Sequence, residues 1–175
     1  MGPSGYMEKN GKILSLIYAT TSGISWRQSS EQLVQYWLKQ IGVKITIHNE
    51  PAGAFFGTLL PSGKGWDLAE FEFGDTPDPS EVPLSVFGTG QGYNWENYSN
   101  PAVDKLFKAQ ETATTQAARK KDLWQVESIL AKQLPALWYY APEQIDTSIN
   151  MTGYVPNTWA TDTWNCYDWA PTNQS

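Results

Sequence analysis

The stretch Trp66–Pro79, WDLAEFEFGDTPDP, decides the fold because it joins a strand pattern to a rigid turn. Apolar and mainly acidic residues alternate through its first half, which is the period-2 pattern of a β-strand. Gly74 ends this pattern, and the two prolines of the following DTPDP predict a turn with a stiff backbone. The alternating residues are Ala69, Phe71 and Phe73 on the apolar face and Leu68, Glu70 and Glu72 on the other face.

This strand is the third of three that alternate with predicted helices. The continuously apolar run Ile13–Ala19 is typical of a strand covered on both faces, and Val43–His48 alternates as a second strand. Between them the spacing predicts a helix that Ser25 caps and Gly42 ends. A short helix over Gly53–Leu60 completes a βαβαβ order, which predicts parallel strands. The predicted apolar face of the first helix comprises Leu33, Val34, Trp37, Leu38 and Ile41.

The second half of the chain predicts two further helices around a long loop. Residues 80–99 combine glycines with polar-flanked aromatics, which is typical of a long functional loop with one helical turn. Asn100-Pro101 and Thr114-Thr115 each predict a helix start, and Pro135 ends the second helix. Beyond it the sequence predicts strands over 136–141 and 144–149 and an extended tail from residue 153. The predicted fold class is therefore α/β, with a mixed sheet whose parallel βαβαβ core is flanked by helices.

Composition excludes several classes of function. The net charge of −6 and the pI near 4.7 argue against a nucleic-acid surface, which needs a basic patch. His48 is the only histidine and Cys166 the only cysteine, so we expect no His-rich metal site and no internal disulfide. The sequence has no apolar run of about 18 residues, so we expect no membrane insertion. We also expect a monomer.

The carboxyl ends of the three predicted strands carry the candidate binding residues. Ligands bind at the carboxyl ends of the strands of open parallel sheets. These ends are Thr20-Thr21-Ser22, Glu50-Pro51-Ala52 and Phe73-Gly74-Asp75, which we expect to converge on one edge. Hydroxyls, aromatic rings and a carboxylate suit a ligand with an apolar part and a cationic or hydroxylated part. The predicted ligand-binding residues are Thr21, Ser22, Trp26, Phe73, Asp75 and Trp95.

Catalysis has little support in the sequence. Asp75 and Asp78 form a possible carboxylate pair, but residues three apart in a proline-restricted turn are explained by turn chemistry. The chain contains no nucleophile elbow, phosphate-binding glycine loop or HExxH motif. We therefore predict a binding protein that is not an enzyme and that needs no metal or cofactor.

The order of the motifs resembles a known family. GKILSLIYATTSG, LVQYWLKQIGVKITI, AFFGTLLPSGKGWDLAEF, DTPDPS, NYSNPAVDKL and LPALWYY follow one another as they do in the family 5 extracellular solute-binding proteins, the peptide- and nickel-binding components of ABC importers. The resemblance covers most of residues 11–157.

This resemblance implies a periplasmic-binding-protein-like clamp of type II, of which residues 11–157 are the C-terminal lobe. Residues 1–10 are then a linker, and 158–175 an aromatic tail that leads towards the other lobe. The implied function is capture of oligopeptides or a similar small solute between two lobes for delivery to a membrane permease. The implied location is extracellular, as a cell-surface lipoprotein or a periplasmic protein. Asp75 matches the position that pairs with the peptide α-amino group, and Trp26 matches a ligand-lining position.

Other interpretations remain open at this stage. Nine tryptophans, several in loops, are also typical of a carbohydrate-binding module or an oligosaccharide receptor, and members of the family also carry nickel complexes. An interaction domain whose tail 154–169 covers a partner is a third interpretation. We expect the 175 residues alone to bind ligand weakly, because half of the implied cleft lies outside them.

Overall fold

The structure is a computed structural model that describes residues 2, 4–74, 76–141, 147–157, 160 and 162–172. The chain divides into two compact units, Met1–Gly74 with Leu84–Asp104 and Asp75–Pro83 with Lys105–Ser175. The strands are β1 (Glu8–Lys9), β2 (Lys12–Ile13), β3 (Ser15–Thr21), β4 (Lys44–Glu50), β5 (Leu68–Glu70), β6 (Met151–Thr152) and β7 (Ala170–Pro171). The α-helices are α1 (Ser25–Gln40), α2 (Ala52–Ala54), α3 (Leu60–Ser62), α4 (Glu81–Phe87), α5 (Pro101–Glu111) and α6 (Gln116–Gln133).

The first unit contains a three-stranded parallel sheet in the order β4-β3-β5. β3 pairs along its whole length with β4, from Ser15 opposite Lys44 to Thr21 opposite Glu50. On its other side β3 pairs with β5 in parallel register. The predicted parallel βαβαβ core is therefore confirmed. β5 is shorter than the predicted strand, since it ends at Glu70 and the described residues 71–74 are not in a strand.

The two faces of this sheet have separate cores. On one face Tyr18 and Ile45 are buried against the inner side of α1, where Val34 and Leu38 pack. On the other face Ala19, Phe55 and Leu60 are almost completely inaccessible to solvent. Removal of this apolar surface from water stabilises the sheet by about 25 cal/mol per Å² buried. The double coverage explains the continuous apolar run that the sequence shows for β3.

The apolar face predicted for α1 is only partly correct. Val34 and Leu38 pack on the sheet, but Leu33, Trp37 and Ile41 are each about half exposed. Their places on the inner side are taken by polar residues of the first two turns. The buried residues of α1 are Arg27, Ser30 and Glu31.

The ends of α1 differ in how well the sequence predicts them. The predicted cap at Ser25 is wrong, because Ser25 is the first helical residue and the preceding Ile24 makes no side-chain cap. Gly42 does end the helix, with a φ of 82° that favours glycine and an N–H that donates to the carbonyl of Lys39.

The second predicted helix is one continuous helical segment with an irregular centre. α2 runs into a π-helix over Phe55–Leu59, and α3 follows directly. Such π-segments are rare, occur mostly as single turns inside α-helices and are frequent at functional sites. This turn carries Phe55 and Phe56 on the sheet face opposite α1, where both belong to the core or pack against it.

The long loop predicted over 80–99 contains more structure than one helical turn. α4 occupies Glu81–Phe87, two turns of helix whose last residues, Val86 and Phe87, are buried. The next helix starts as predicted, since the Asn100 side chain accepts from the N–H of Ala102 at 2.9 Å.

In the second unit, α6 carries an apolar stripe and the predicted cap. Leu123, Val126 and Leu130 are buried, and Thr115 accepts from the N–H of Ala118 at 3.2 Å. Leu134 ends the helix in the left-handed region with a φ of 51°, one residue before Pro135.

The remaining part of this unit departs from the predictions. Residues 136–141 form no strand, and their side chains are mostly exposed. The second predicted strand, 144–149, lies largely outside the described residues. The predicted extended tail instead folds back, because β6 and β7 pair antiparallel. Asn165, only 1% exposed, donates to the carbonyl of Gly153 inside this turn.

Candidate functional site

The carboxyl ends of the parallel strands meet at one edge of the sheet. The backbone N–H of Ser22, just after β3, donates to the carbonyl of Glu50 at the end of β4, at 2.8 Å. On the other side Thr20 donates through its hydroxyl to the carbonyl of Glu70 at the end of β5, also at 2.8 Å. The ends of β3, β4 and β5 therefore lie together, with β5 ending at Glu70 and not at the predicted Phe73-Gly74-Asp75. We call this place the ligand edge of the sheet.

Five aromatic side chains gather on the sheet face opposite α1, where the chain leaves β5. Phe71 lies at the centre, with ring centroids 5.8 Å from Phe56, 5.4 Å from Phe73 and 5.4 Å from Trp95. Tyr93 closes the group, 5.6 Å from Phe73 and 5.5 Å from Trp95. Most of these contacts are edge-to-face, the arrangement that the charge distribution of aromatic rings favours. We call these five residues the aromatic wall.

The loop after α4 is held so that Tyr93 and Trp95 reach the wall. Between them lies the buried Asn94, whose amide donates to the carbonyls of Gly88 at 2.9 Å and Tyr98 at 2.7 Å. Its side-chain oxygen accepts from the N–H of Tyr98 at 2.8 Å. Because Asn94 points inward and is fully bonded, the wall residues on either side of it are fixed by the same anchor.

The wall keeps accessible surface. Tyr93 is half exposed, and Phe56, Phe71, Phe73 and Trp95 are only partly buried. Large apolar rings that remain partly accessible next to a fixed backbone offer contact area at little cost in conformational entropy. The wall can therefore receive an apolar group of a ligand.

Polar side chains line the opposite face of the same edge, between the sheet and α1. Arg27, only 7% exposed, donates from Nη1 to the Thr21 hydroxyl at 2.7 Å and pairs through Nη2 with Glu72 at 3.1 Å. Ser30 donates to the Glu70 carboxylate at 2.7 Å. These contacts fix the end of β3 and the segment after β5 to the first turns of α1.

Two further contacts extend this polar layer. The Tyr18 hydroxyl donates to Glu70 at 2.7 Å, and the side-chain amide of Asn49 donates to Glu31 at 2.7 Å. Burial raises the pKa of the Glu31 carboxyl; the hydrogen bond from Asn49 opposes this shift, and the nearby Glu70 adds to it. The acidic residues of Trp66–Pro79 thus contribute to a polar layer under α1, and the apolar residues that alternate with them contribute to the aromatic wall.

The predicted site residues fall into three groups. Phe73 and Trp95 both belong to the aromatic wall, although they meet through Phe71 and Tyr93 and are not in mutual ring contact among the contacts described. Asp75 lies outside the described residues. The third group comprises Thr21, Ser22 and Trp26 in and after the loop that follows β3.

The third group has mixed roles. Thr21 is 2% exposed and its hydroxyl accepts a hydrogen bond from Arg27, so its side chain stabilises the ligand edge from the α1 face. Ser22 is exposed, with its backbone bonded to Glu50. Trp26 is 48% exposed in the first turn of α1, and within the described chain it makes no ring contact with the wall. The ligand-binding role of these residues stays a prediction.

Sequence analysis missed several residues that shape the site. Phe71 lay on the predicted apolar face two residues before the predicted site residue Phe73, and that shared face was the available signal. Nothing in the sequence indicated that Arg27 is buried, because a lone arginine in a helix is ordinarily exposed to solvent. The other residues that were not predicted are Phe56, Tyr93, Asn94, Glu31, Asn49, Glu70 and Glu72.

Asp78 is bound to its own turn and to α6. Its Oδ1 accepts from the N–H and hydroxyl of Ser80, at 2.9 and 2.7 Å, and both its oxygens accept from Arg119 Nη2, at 2.5 and 2.7 Å. The Arg119 hydrogen bond, followed by those from Ser80, holds the pKa of Asp78 well below its usual range. A carboxylate held ionised in this way has a structural role, as the sequence predicted for this turn residue.

Neither a metal site nor a membrane span was found in the part of the chain that the structure describes. No three His, Cys, Asp or Glu side chains there are grouped so that they could hold a metal ion. No helix among the described residues is both long and apolar enough to cross a bilayer.

Comparison with known proteins gives relatives by sequence but no matching family model. The chain is 30% identical over 108 residues to the oligopeptide-binding protein OppA of Lactococcus lactis subsp. lactis (strain IL1403), which covers 58% of this chain and 18% of that protein. It is 26% identical over 159 residues to the oligopeptide-binding protein AppA of Bacillus subtilis (strain 168), which covers 86% of this chain and 28% of that protein.

Solved structures extend the likeness to nearly the whole chain. The structure of AppA from B. subtilis in complex with a nonapeptide matches with a TM-score of 0.76 and 23% identity, over 97% of this chain and 34% of that chain. NikZ from Campylobacter jejuni in complex with Ni(L-His) matches with a TM-score of 0.73 and 22% identity, over 97% of this chain and 36% of that chain.

These findings confirm the resemblance and the fold class that were predicted from the sequence. The relatives and structural neighbours are family 5 solute-binding proteins with periplasmic-binding-protein-like folds. The chain spans only between 18% and 36% of the lengths of the four matched chains.

Proposed function

We propose that this chain is a ligand-binding lobe of the substrate-binding component of an ABC importer, and that its ligand is an oligopeptide. The observation that carries the proposal is the aromatic wall at the ligand edge of a sheet whose fold is shared with oligopeptide-binding proteins. Relatives of this kind are binding proteins, and no group in the described residues calls for a catalytic interpretation. The protein would work outside the cell or in the periplasm, and a membrane permease would be its partner.

The wall favours the side chains of a peptide. Phe73, Tyr93 and Trp95 present ring faces and edges that pack equally well on aromatic or aliphatic groups, so recognition would depend little on the order of residues in the peptide. A peptide also carries a cationic α-amino group. Asp75, five residues beyond the end of β5, is our proposed partner for that group on the strength of the family resemblance.

The mechanism is capture between two lobes. A peptide first contacts the wall and the ligand edge, and closure of a second lobe over it excludes water. Exclusion of water strengthens the pairing of the α-amino group with a carboxylate, because the effective dielectric constant falls. Since half of the cleft would come from that second lobe, the present chain alone binds weakly in this proposal.

A carbohydrate ligand is less well supported. Two of the loop tryptophans that motivated it are engaged in contacts of their own: Trp95 is partly buried in the wall, and the indole N–H of Trp164 donates to the carbonyl of Val155 at 2.7 Å. The relatives found by sequence are named as oligopeptide-binding proteins.

Calorimetric titration of the 175-residue chain at millimolar ligand tests the proposal. The ligands are a nonapeptide, the same peptide with an acetylated amino terminus, and an oligosaccharide of similar mass. We expect weak heat with the free peptide, less heat with the acetylated peptide and none with the oligosaccharide. Affinity for the free peptide should fall clearly on Trp95→Ala and change little on Trp124→Ala, which is the matched control on α6. Asp75→Asn should affect the free peptide more than the acetylated one.

Three results would overturn the proposal. The first is binding of the oligosaccharide but not of the peptide. The second is peptide binding that Trp124→Ala abolishes and Trp95→Ala leaves intact. The third is tight peptide binding by the 175 residues alone, which would refute the role of a second lobe.

A further inference from the structure

The first two turns of α1 hold the ligand edge, and one of their contacts is incomplete. Arg27 contacts the end of β3, and Ser30 contacts the end of β5. Glu31 contacts the end of β4, where the side-chain amide of Asn49 donates from Nδ2 to Oε1 at 2.7 Å. Of these three contacts, only the one between Glu31 and Asn49 leaves a buried polar atom without a hydrogen-bond partner on each residue.

The two atoms without a hydrogen-bond partner are Oε2 of Glu31 and Oδ1 of Asn49. Glu31 is only 2% exposed, so water does not compensate freely. If Glu31 is ionised, both atoms are acceptors and neither can satisfy the other. A buried acceptor left in this state destabilises the fold, and native proteins rarely contain such atoms.

A single proton on the Glu31 carboxyl gives both atoms a hydrogen-bond partner. A protonated Glu31 has a hydroxyl at Oε2, which can donate to Oδ1 while Nδ2 of Asn49 continues to donate to Oε1. Carboxylic acid and amide are planar groups of matching width, so two parallel hydrogen bonds close a ring. We propose that Glu31 carries a proton at neutral pH and forms this cyclic acid–amide pair with Asn49, which makes the β4 contact of the ligand edge sensitive to pH.

The surroundings favour the neutral carboxyl. Burial raises the pKa of Glu31, and the charge of Glu70 on β5 raises it further, whereas the existing bond from Asn49 acts in the opposite direction. The proposed second bond, from Oε2 to Oδ1, exists only in the protonated form and would favour that form. The other charged or titratable groups of the polar layer are Tyr18 on β3, Arg27 on α1 and Glu72 after β5.

Arg27 does not supply the missing compensation, because its guanidinium contacts Thr21 and Glu72 and donates to neither Oε2 of Glu31 nor Oδ1 of Asn49. β4 carries His48 and Glu50 on either side of Asn49. Successive side chains of a strand point to opposite faces, and His48 accordingly contacts the carbonyl of Gly65 on the face away from α1. Neither of these groups therefore faces Glu31.

The pair has a consequence for the ligand edge. Asn49 is followed by Glu50, whose carbonyl accepts from Ser22 and so joins β4 to the loop after β3. Ionisation of Glu31 would replace the second hydrogen bond by two facing acceptors and would add a like charge to that of Glu70. Two hydrogen bonds therefore hold the end of β4 while Glu31 is protonated, and one of them is lost when Glu31 ionises.

The sign of the effect follows from linkage. The pKa of Glu31 is raised in the folded chain above 4.5, the ordinary value that applies when the chain is unfolded. Its contribution to stability is therefore complete below about pH 4.5 and is lost as the pH rises towards the folded-state pKa. Over that interval the unfolding constant increases by up to tenfold per pH unit.

Glu31→Gln tests the pair, because glutamine stays neutral and can make the same two hydrogen bonds. We expect the full chain with this change to unfold like the wild type at pH 4. Above pH 4.5 the ratio of the wild-type to the variant unfolding constant should rise by up to tenfold per pH unit, with the variant the more stable protein at pH 7–8. Glu127→Gln, an exposed control on α6, should leave this pH profile unchanged.

The charge state of Glu31 can also be measured directly in the wild type, which does not depend on how the variant folds. The side-chain ¹³Cδ resonance of Glu31, assigned by its absence in Glu31→Gln, should report a protonated carboxyl at pH 7. An ionised Glu31 at pH 7, as a bridging water or cation would allow, overturns the proposal. A wild-type to variant ratio that stays near one at every pH, or a variant less stable than the wild type at pH 7, also overturns it.

Discussion

Replacement of Arg27 by methionine should weaken the ligand edge by a predictable amount. The methionine side chain keeps the apolar part of the arginine stem, so the change removes mainly the two polar contacts of the guanidinium. The contact with the Thr21 hydroxyl is buried and charge-assisted, which corresponds to about 1.5–3 kcal/mol. The contact with Glu72 adds about 0.5 kcal/mol at most, because the Glu72 side chain is 51% exposed and solvent screens the pair.

Arg27→Met should therefore reduce the free energy of unfolding by about 2–3 kcal/mol, which corresponds to a melting temperature lower by about 4–12 °C for a chain of this length. Urea denaturation followed by circular dichroism measures the free energy directly. Lys39→Met is the matched control, since Lys39 is exposed in the last turn of the same helix, and it should change stability by less than about 0.5 kcal/mol.

A double-mutant cycle separates the two contacts. With Thr21→Val the coupling to Arg27 should be about 1–2 kcal/mol, and with Glu72→Gln it should be about 0.5 kcal/mol or less. A loss below about 0.5 kcal/mol for Arg27→Met, or a coupling to Glu72 larger than that to Thr21, would refute the assignment of Arg27 as the buried anchor of the β3 end.

The remaining predictions concern the wall, its anchor and the turn after β5. Phe71→Ala should cost about 2–3 kcal/mol, less than a fully buried Phe, whereas Phe71→Leu should cost about 1 kcal/mol; equal effects in urea denaturation would contradict the edge-to-face packing. Asn94→Ala should cost about 2–3 kcal/mol and reduce the near-ultraviolet circular dichroism of the wall, and an unchanged signal would contradict its anchoring role. Asp78→Asn should lower the free energy of unfolding by about 1 kcal/mol at pH 7, a small value because solvent screens this half-exposed ion pair. The lowered pKa of Asp78 stabilises the fold at pH values above 3.8, the ordinary pKa of an aspartate. This difference from the wild type should shrink as the pH falls below 3.8, and a constant difference would exclude Arg119 as its cause.

The topology of the sheet could be predicted from local patterns alone. β3 is covered on both faces and β4 and the β5 stretch alternate, and each property appears directly in the order of apolar residues. The caps at Asn100 and Thr115 were equally local, because each side chain bonds to a backbone group two or three residues away. Such interactions leave their mark within a single short stretch of sequence.

The inner side of α1 could not be predicted in this way. Apolar spacing assigned Leu33, Trp37 and Ile41 to it, yet these are exposed and polar residues of the first turns are buried instead. A polar residue is buried when it finds a partner, and the partner of Ser30 lies 40 residues away. Periodicity does not contain that information.

The aromatic wall was predicted in part for the same reason. The alternation in WDLAEFEFGDTPDP placed Phe71 and Phe73 on one face, which the ring contacts bear out. The approach of Tyr93 and Trp95 depends on Asn94, whose hydrogen bonds close a loop that no strand or helix period describes. Loop aromatics join a wall only when such an anchor exists.

Chemical-shift mapping by NMR on the isotopically labelled 175-residue chain can show whether a peptide binds at the ligand edge, because it detects weak binding residue by residue. A nonapeptide added to millimolar concentration should shift the indole N–H of Trp95 and the amide signals of Ser22 and Phe73. The indole of Trp124 on α6 should stay unchanged. Shifts confined to Trp124, or no shift at the wall and the ligand edge at any peptide concentration, would contradict the proposal that this edge receives a peptide.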